Sequence, residues 1–463
     1  MKNGLQYIRR FLKSTGILSI GVILPKVVVF LLLSFNTAHI GTADYGYYDQ
    51  SISYATMVSY LLFFDIWIST MRFLYEQEEP QGQDKVLRSG GTIFLCSSAV
   101  YLLVALVLIL VRHPQYAMYT ALYGLSQNLI SFFSFAARGL RRDTDYAVSG
   151  LLGSAVLGVT NYLLIARFGW DFSALYLSAI LGAAVQCLYL EIRTGCLRRA
   201  FRAPADRDVT SSLFRFTLPM GIGAAAFWVL NSFDKILLGR MLNLDAGGVY
   251  ALAERLASLI TFAVQVFTYA WQDIAFRHES DDEGAFYGTA SSLYFRFLTF
   301  GMLMLMPAIK LIFPYMFGGD YSGASLVIPF AILASALSGF SLFLGNVFYA
   351  LHETRAGTVT SLISCVVNLA VCIPCIRAFG ISGASVAIAV SFAFDAILKG
   401  IVLKRKIGYR VPWKTLAMSA ALVTVGILIY FRCSLAANLI WAAAYLLAFG
   451  YSVYKAFKQS RSH

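Results

Sequence analysis

The chain has 463 residues, of which 59% are apolar and 13% are charged, whereas soluble domains contain about half apolar and a quarter charged residues. This composition excludes an ordinary soluble enzyme and predicts a membrane protein. The formal net charge of +13 fits basic connections that lie against an anionic leaflet, so we expect anionic membrane lipids as partners and no nucleic acid.

Apolar segments of about 20 residues, the length that crosses a bilayer core, recur along the whole chain. They are too long and too uniformly apolar for barrel strands. The sequence therefore predicts an all-α polytopic membrane protein with about 14 transmembrane helices. The predicted spans are 16–38, 48–72, 91–111, 116–137, 147–167, 172–192, 217–240, 248–274, 291–313, 324–350, 357–377, 382–402, 414–431 and 436–455.

The distribution of Lys and Arg predicts the orientation, because cytoplasmic connections carry the excess of these residues. With the N-terminus inside, 27 of them, Lys399 included, fall in inner segments and five in outer connections. We therefore expect a multi-pass protein of the bacterial cytoplasmic membrane, with both termini in the cytoplasm.

The longest basic connection divides the first twelve predicted helices into two groups of six. The segment that opens with Gly46 and Tyr48 aligns with the one that opens with Gly248 and Tyr250. Two pseudo-symmetric six-helix bundles around a central cavity are a recurrent basis for alternating access. The predicted organisation is an N-terminal lobe, a linker, a C-terminal lobe and two additional helices with a cytoplasmic tail, over 1–192, 193–216, 217–402 and 403–463.

Cysteine and histidine give no pattern of metal ligands, because the five histidines are dispersed and no HExxH spacing occurs. The "CIPC" segment at 372–375 has the spacing of a dithiol pair. It lies in an apolar span, where buried small side chains are the favoured interpretation. We expect no cofactor and no metal.

Ionisable residues inside the spans need an explanation, because each is costly at the bilayer centre. Lys26 falls near the middle of the first span. Asp234 and Lys235 near the end of the seventh span lie at a depth similar to that of Glu254 and Arg255 in the eighth. The two pairs are expected to meet across the hairpin, either as a structural ion-pair network that fixes it or as a gate or substrate-contact site.

Two further charged pairs lie near the inner ends of spans. Asp65 and Arg72 are seven residues apart, two turns along one helix face, and Asp273 and Arg277 are four apart. Local pairing and cavity lining remain open for both. Among the neutral polar residues at mid-depth, Asn128 and Asn368 are candidates for contact with a sugar, with helix-to-helix hydrogen bonding as the alternative.

Three stretches resemble the Wzx-type oligosaccharide flippases of the multidrug/oligosaccharidyl-lipid/polysaccharide exporter superfamily. "NSFDKILLGRMLNLDAGGVYALAERLASL" is similar to their seventh-to-eighth helix hairpin and "FDIWISTMRFLYEQ" to their second-helix exit. "NVFYALHETRAGTVTSLISCVVNLAVCIPCIRAFGISGASVAIAVS" is similar to their tenth to twelfth helices. In the second stretch the family often has Asp-x-Gly, whereas this chain has the bulky Trp67 after Asp65 and Ile66.

The resemblance implies a V-shaped twelve-helix core plus two helices that moves a polyprenyl-pyrophosphate-linked oligosaccharide, of the O-antigen or capsule repeat-unit kind, to the outer leaflet. It implies no covalent chemistry. It also implies polysaccharide polymerase or ligase machinery as partners. Cationic side chains can bind the pyrophosphate, and carboxylates can bind a coupling proton or sodium ion. The expected substrate-binding residues are Lys26, Arg72, Lys235, Arg255, Arg277, Asn128 and Asn368. The expected coupling-ion or gate residues are Asp65, Asp234, Glu254 and Asp273.

Three rival functions remain. A peptidoglycan-precursor flippase also has a cationic cavity and differs in its substrate. A multidrug or organic-cation antiporter on the same scaffold needs an anionic cavity, which the excess of cations disfavours. A membrane glycosyltransferase, polymerase or ligase needs a sizeable outer loop, and the predicted outer connections are all short.

Overall fold

The computed structural model describes residues 25–262, 264, 267, 282–351 and 353–460. Within these residues the chain is a succession of helices joined by short connections and contains no strand. The helices are α1 (25–39), α2 (Thr42–Phe63), α3 (Ile66–Tyr75), α4 (Pro80–Arg112), α5 (Ala117–Gly139), α6 (Asp143–Tyr162), α7 (Ser173–Thr194), α8 (Cys196–Arg202), α9 (Arg207–Met241), α10 (Leu244–Ala257), α11 (Glu283–Met316), α12 (Ala324–Ala350), α13 (Thr354–Phe379), α14 (Ile381–Ile407), α15 (Trp413–Arg432) and α16 (Leu435–Ser460).

The helices coincide with the predicted spans wherever those spans are described. In the described part of the chain, eight helices are long and apolar enough to cross a membrane. Two bent pairs, α2 with α3 and the two parts of α9, raise the number to ten. This confirms the all-α polytopic membrane fold, while the number of fourteen spans stays a prediction.

Contacts between helices divide the chain into two compact units, one up to Trp228 and the other from Val229 onward. In the first unit α7 packs against α5 and α6, and α3 packs against α5. In the second unit α14 packs against α12 and α13, and α10 packs against α12. One helix that contacts two preceding neighbours is therefore a packing pattern that occurs in both units.

The predicted linker at 193–216 is largely helical and begins within α7, includes α8 and enters α9. Arg199 Nε of α8 lies 2.5 Å from Asp84 Oδ1, and Lys85 Nζ lies 3.2 Å from Asp206 Oδ2, so two ion pairs join this region to the start of α4. The division between the two units lies further along the chain, inside α9. The predicted domain boundaries stay a prediction.

The second predicted span is broken at Phe64 and Asp65. Both residues are left-handed, with φ of 50° and 55°, and α3 is inclined by 48° to α2. Gly221 of α9 packs directly on the break, because a Cβ at this position would lie 2.5 Å from Phe64 Cβ and 2.6 Å from its Cα. Trp67 is buried against Phe63 in the core of the first unit.

The connection between α14 and α15 runs over the start of α11. Arg410 N–H donates to the carbonyl of Gly284 at 3.2 Å, and its guanidinium pairs with Asp282 at 2.7 Å. A Cβ on Gly284 would lie 2.5 Å from the carbonyl oxygens of Ile407 and Gly408, and one on Gly288 would lie 2.5 Å from that of Arg410. Only glycine allows this approach of two backbones.

Candidate functional site

The hairpin of α9 and α10 carries a buried charged cluster. α9 ends at Met241, and Asn243 caps α10 by accepting a hydrogen bond from Ala246 N at 2.7 Å. This tight connection places the last turns of α9 beside the middle of α10. Lys235 Nζ then lies 2.7 Å from Glu254 Oε2, which confirms that the two predicted charged pairs meet.

Tyr250 connects the two carboxylates of this cluster. Its hydroxyl donates to Asp234 Oδ2 and lies 3.3 Å from Glu254 Oε1. Asp234 and Tyr250 are each 1% exposed, and Asp234 Oδ1 has no hydrogen-bond partner in the described part of the chain. The cluster holds two carboxylates with one ammonium and one phenol, so it has an acceptor left for a proton or a cation.

Sequence reasoning assigned no role to Tyr250. A tyrosine is common in a membrane span, so unlike a charged residue it does not stand out within an apolar segment. The available signal was its spacing, because Tyr250 and Glu254 are four residues apart and therefore share a helix face. The sequence repeat also pairs Tyr250 with Tyr48, whose ring lies 4.8 Å from that of Tyr176 in the first unit.

A second buried ion pair was missed altogether. Lys399 Nζ lies 2.7 Å from Asp395 Oδ2 one turn earlier in α14, and the two side chains are 6% and 1% exposed. Asp395 also accepts from Ser341 Oγ and from Ser364 Oγ, the latter at 3.1 Å, while Lys399 donates to Ser341 O at 3.2 Å. The assignment of Lys399 to an inner connection was wrong, because its side chain is packed inside the second unit.

Arg72 and Asp65 do not share one continuous helix. Asp65 precedes α3 at the break, and the spacing of seven residues therefore does not place both on one helix face. Arg72 Nε lies 3.4 Å from Glu76 Oε1 instead, and its guanidinium lies 4.5 Å from the centre of the Phe216 ring. The side chain of Arg72 is 60% exposed, so it remains accessible to a ligand.

The two predicted asparagines hold helices together. Asn128 Nδ2 donates to Ser59 Oγ at 2.9 Å and joins α5 to α2. Asn368 Nδ2 donates to Ser391 Oγ at 3.1 Å and joins α13 to α14. This is the alternative role that the sequence left open, and contact with a sugar stays a prediction for both residues.

Of the remaining predicted residues, two are described by the structure and two are not. Lys26 lies in α1 and is half-buried, and Arg255 is half-buried on α10 beside Glu254. Asp273 and Arg277 lie outside the described residues. The structure thus brings together Asp234, Lys235 and Glu254 and leaves Lys26, Asp65 and Arg72 at other places in the fold.

Two solved structures share this arrangement of helices. The lipid II flippase MurJ in an inward closed conformation is 13% identical, with a TM-score of 0.69, and the match covers 95% of this chain and 99% of MurJ. An inward-facing multidrug resistance transporter of the MATE family, in the MOP superfamily, is 14% identical, with a TM-score of 0.66 and coverage of 84% of this chain and 98% of that one. The chain therefore shares the helical fold of these two proteins.

The family follows from the sequence comparisons. The model of the polysaccharide biosynthesis protein family matches residues 11–271, more than half of the chain, and the chain belongs to that family. A relative in Haloferax volcanii, the probable low-salt glycan biosynthesis flippase Agl15, is 23% identical over 340 residues, which are 68% of this chain and 70% of the relative. These findings confirm the resemblance to oligosaccharide flippases and the prediction of a transporter rather than an enzyme.

Proposed function

We propose that this protein flips a polyprenyl-pyrophosphate-linked oligosaccharide, with undecaprenyl as the carrier, from the cytoplasmic to the outer leaflet of the cytoplasmic membrane. The observation that carries the proposal is the family match over residues 11–271, a range that includes the charged hairpin. The flippase relative and the MurJ-like fold support the same class of substrate. Movement occurs by alternating access, with both termini in the cytoplasm.

The cations differ in how readily each can receive the pyrophosphate. The ion pair of Arg72 with Glu76 is exposed, and such pairs contribute less than about 1 kcal/mol, so exchanging the carboxylate for a phosphate costs little. Lys235 is held by the half-buried Glu254 and is less available. We therefore assign first contact to Arg72, together with Lys26, and assign Lys235 and Arg255 to a later step that opens the hairpin. Arg277 remains a further candidate.

The charged hairpin is the best-supported place for coupling to a proton or sodium gradient. Asp234 Oδ1 is a buried acceptor without a hydrogen-bond partner among the described residues, and buried acceptors favour a proton or a cation. Loading at Asp234 changes the charge that Lys235, Glu254 and Tyr250 experience, and therefore the balance between conformations. Asp65 and Asp273 are the other proposed coupling residues, and polymerase or ligase machinery is the proposed downstream partner.

Depletion of the protein in its host tests the function directly. We expect a lipid-linked repeat unit to accumulate, protected from a membrane-impermeant oxidant or lectin added from outside. Accumulation of the peptidoglycan precursor would instead identify the rival flippase. Increased sensitivity to cationic compounds with no lipid-linked saccharide accumulating would replace the proposal by an antiporter.

Reconstitution tests the assigned residues and the coupling. Proteoliposomes loaded with a fluorescent polyprenyl-pyrophosphate saccharide should move it at a rate that rises when a proton or sodium gradient is imposed. Lys26→Met and Arg72→Gln should slow this movement, whereas Arg112→Gln, at an exposed position beyond the apolar part of α4, should not. Equal rates with and without each gradient would remove the coupling assignment and leave the flippase assignment intact.

A further inference from the structure

Arg138 lies in the last turn of α5. Its guanidinium carbon lies 5.7 Å from the centre of the Phe135 ring on the same helix and 5.7 Å from the centre of the Tyr146 ring on α6. Both distances are within the range in which an aromatic face attracts a cation. Both rings therefore attract the guanidinium.

The donors of Arg138 have no acceptor in the part of the chain that the structure describes. No described residue accepts a hydrogen bond from its guanidinium or forms an ion pair with it, and the Nε atom is buried without a partner. Burying a donor without an acceptor costs free energy, so such atoms require an explanation. The C-terminal end of a helix attracts a cation, which explains a positive charge at position 138 but supplies no acceptor for Nε.

Neighbouring arginines of the first unit show the contrast. Arg193 Nε lies 2.9 Å from Asp145 Oδ1, Arg199 Nε lies 2.5 Å from Asp84 Oδ1, and Arg72 Nε lies 3.4 Å from Glu76 Oε1. Each of these arginines pairs with a carboxylate. Arg138 instead contacts aromatic rings and has no ion-pair partner among the described residues.

Charged residues of α5, of the connection to α6 and of α6 itself lie near Tyr75. The hydroxyl of Tyr75, at the end of α3, experiences the charges of Arg138, Arg141 and Asp143, two positive and one negative. Asp145, two residues after Asp143, is already paired with Arg142 and Arg193. Tyr75 is 41% exposed, so an anion that reaches Arg138 from the membrane surface also finds a phenol donor.

We propose that Arg138 is the centre of a phosphate-group site at the predicted cytoplasmic end of the first unit, with Arg141 and Tyr75 beside it. A guanidinium presents two parallel N–H groups that match two phosphate oxygens, and its planar form suits contact with aromatic rings. At a membrane surface the phosphate belongs to a lipid. It is either the pyrophosphate of the cargo, a reading that rests on the proposed function, or the headgroup of an anionic phospholipid of the inner leaflet.

The first experiment measures binding of farnesyl pyrophosphate to the full-length protein purified in phospholipid-free detergent, by titration of tryptophan fluorescence. Arg138→Gln should weaken binding by roughly tenfold or more, the usual effect of removing a charged hydrogen-bond partner. Arg138→Lys should weaken it less, because lysine keeps the charge but lacks the planar fork. Arg198→Gln is the matched control: it removes one exposed charge from the same unit and should change affinity by less than about twofold.

The second arm identifies the source of the phosphate. The same variants are purified from bilayers that contain phosphatidylglycerol, and the phospholipid retained by each is measured by native mass spectrometry. Loss of retained phosphatidylglycerol in Arg138→Gln, with unchanged binding of farnesyl pyrophosphate, supports the site and assigns it to bilayer lipid. Loss of farnesyl pyrophosphate binding supports the site and assigns it to cargo.

Two further outcomes distinguish failure of the Arg138 site from failure of the proposed function. If wild-type and all variants bind both lipids equally, the Arg138 site is wrong. If the wild-type protein flips no pyrophosphate-linked saccharide while Arg138→Gln still loses phosphatidylglycerol, the proposed function fails and the phosphate site stands. A folding check by size-exclusion chromatography accompanies each variant, and Arg138→Lys provides the test if Arg138→Gln does not fold.

Discussion

The ammonium of Lys399 and the carboxylate of Asp395 lie 2.7 Å apart on one face of α14 and are almost completely buried. Two serines from neighbouring helices complete the cluster, Ser341 of α12 and Ser364 of α13. An ion pair of this kind stabilises the fold only while both partners are present, because the remaining charge would otherwise be buried alone. The pair thus links three helices of the second unit.

Removal of one member of this pair should be strongly destabilising. We expect Asp395→Asn or Lys399→Met alone to lower the free energy of unfolding by about 3–5 kcal/mol. The double variant should recover most of the loss, since it leaves no isolated charge. Thermal unfolding in detergent gives the measurement. The exposed pair of Lys406 and Glu353, 2.5 Å apart, is the control, and Glu353→Gln should cost less than about 1 kcal/mol.

The hairpin cluster should show energetic coupling between its two helices. A double-mutant cycle of Lys235→Met and Glu254→Gln should give a coupling energy of about 0.5–3 kcal/mol, as found for residues in direct contact. Exchange of Asp234 and Lys235 should abolish transport, because it places an ammonium against the Tyr250 hydroxyl and a carboxylate near Glu254. Unchanged transport after the exchange would show that this geometry is not part of a gate.

Gly221 should resist enlargement. In Gly221→Ala the new methyl group would meet the Phe64 backbone at 2.6 Å, and such overpacking costs about 1–3 kcal/mol. Gly91 in α4 is the control, because nothing lies within 4 Å of a Cβ there. Gly91→Ala should stabilise the helix by about 0.5–1 kcal/mol. Equal melting temperatures for the two variants would contradict the close packing of α9 on the α2–α3 break.

Asp206 should make stability depend on acid pH. Hydrogen bonds from the Val209 N–H and from Lys85 hold the pKa of Asp206 below its ordinary value of 3.8. A carboxylate with a lowered pKa contributes stability that is complete above its ordinary pKa and is lost as the pH falls through the lowered value. Asp206→Asn should therefore reduce the fall in melting temperature that accompanies acidification below the ordinary pKa of 3.8. An unchanged fall would exclude this contribution.

The positions of the helices could be predicted because each needs a long apolar segment, and that requirement is visible in the residues themselves. The meeting of Lys235 and Glu254 was also predictable, since a short connection places charges of similar depth side by side. Tyr250 was not predictable in this way, because a phenol does not interrupt an apolar pattern. The choice of its partner depends on which faces of α9 and α10 touch, and packing decides this.

The remaining differences between the prediction and the structure also have local causes. The break at Phe64 and Asp65 contains neither glycine nor proline, the residues that usually mark a left-handed turn or a broken helix. Lys399 lies five residues before the basic run of Lys404, Arg405 and Lys406, so it was grouped with that run and Asp395 was overlooked. An acid four residues before a lysine within an apolar segment is the signal that would have revealed both.

The close passage of the α14–α15 connection over Gly284 and Gly288 has a practical consequence for protein engineering. A fusion partner, epitope tag or cysteine reporter inserted at 408–410 would have to separate two backbones that are in direct contact and break the Arg410 N–H bond to Gly284. The connection at Cys433 and Ser434 before α16 carries no such glycine approach in the described chain. A label attached there avoids a contact between two backbones, but it must preserve the carbonyls of Cys433 and Ser434, which accept hydrogen bonds from Lys310 and Asn438.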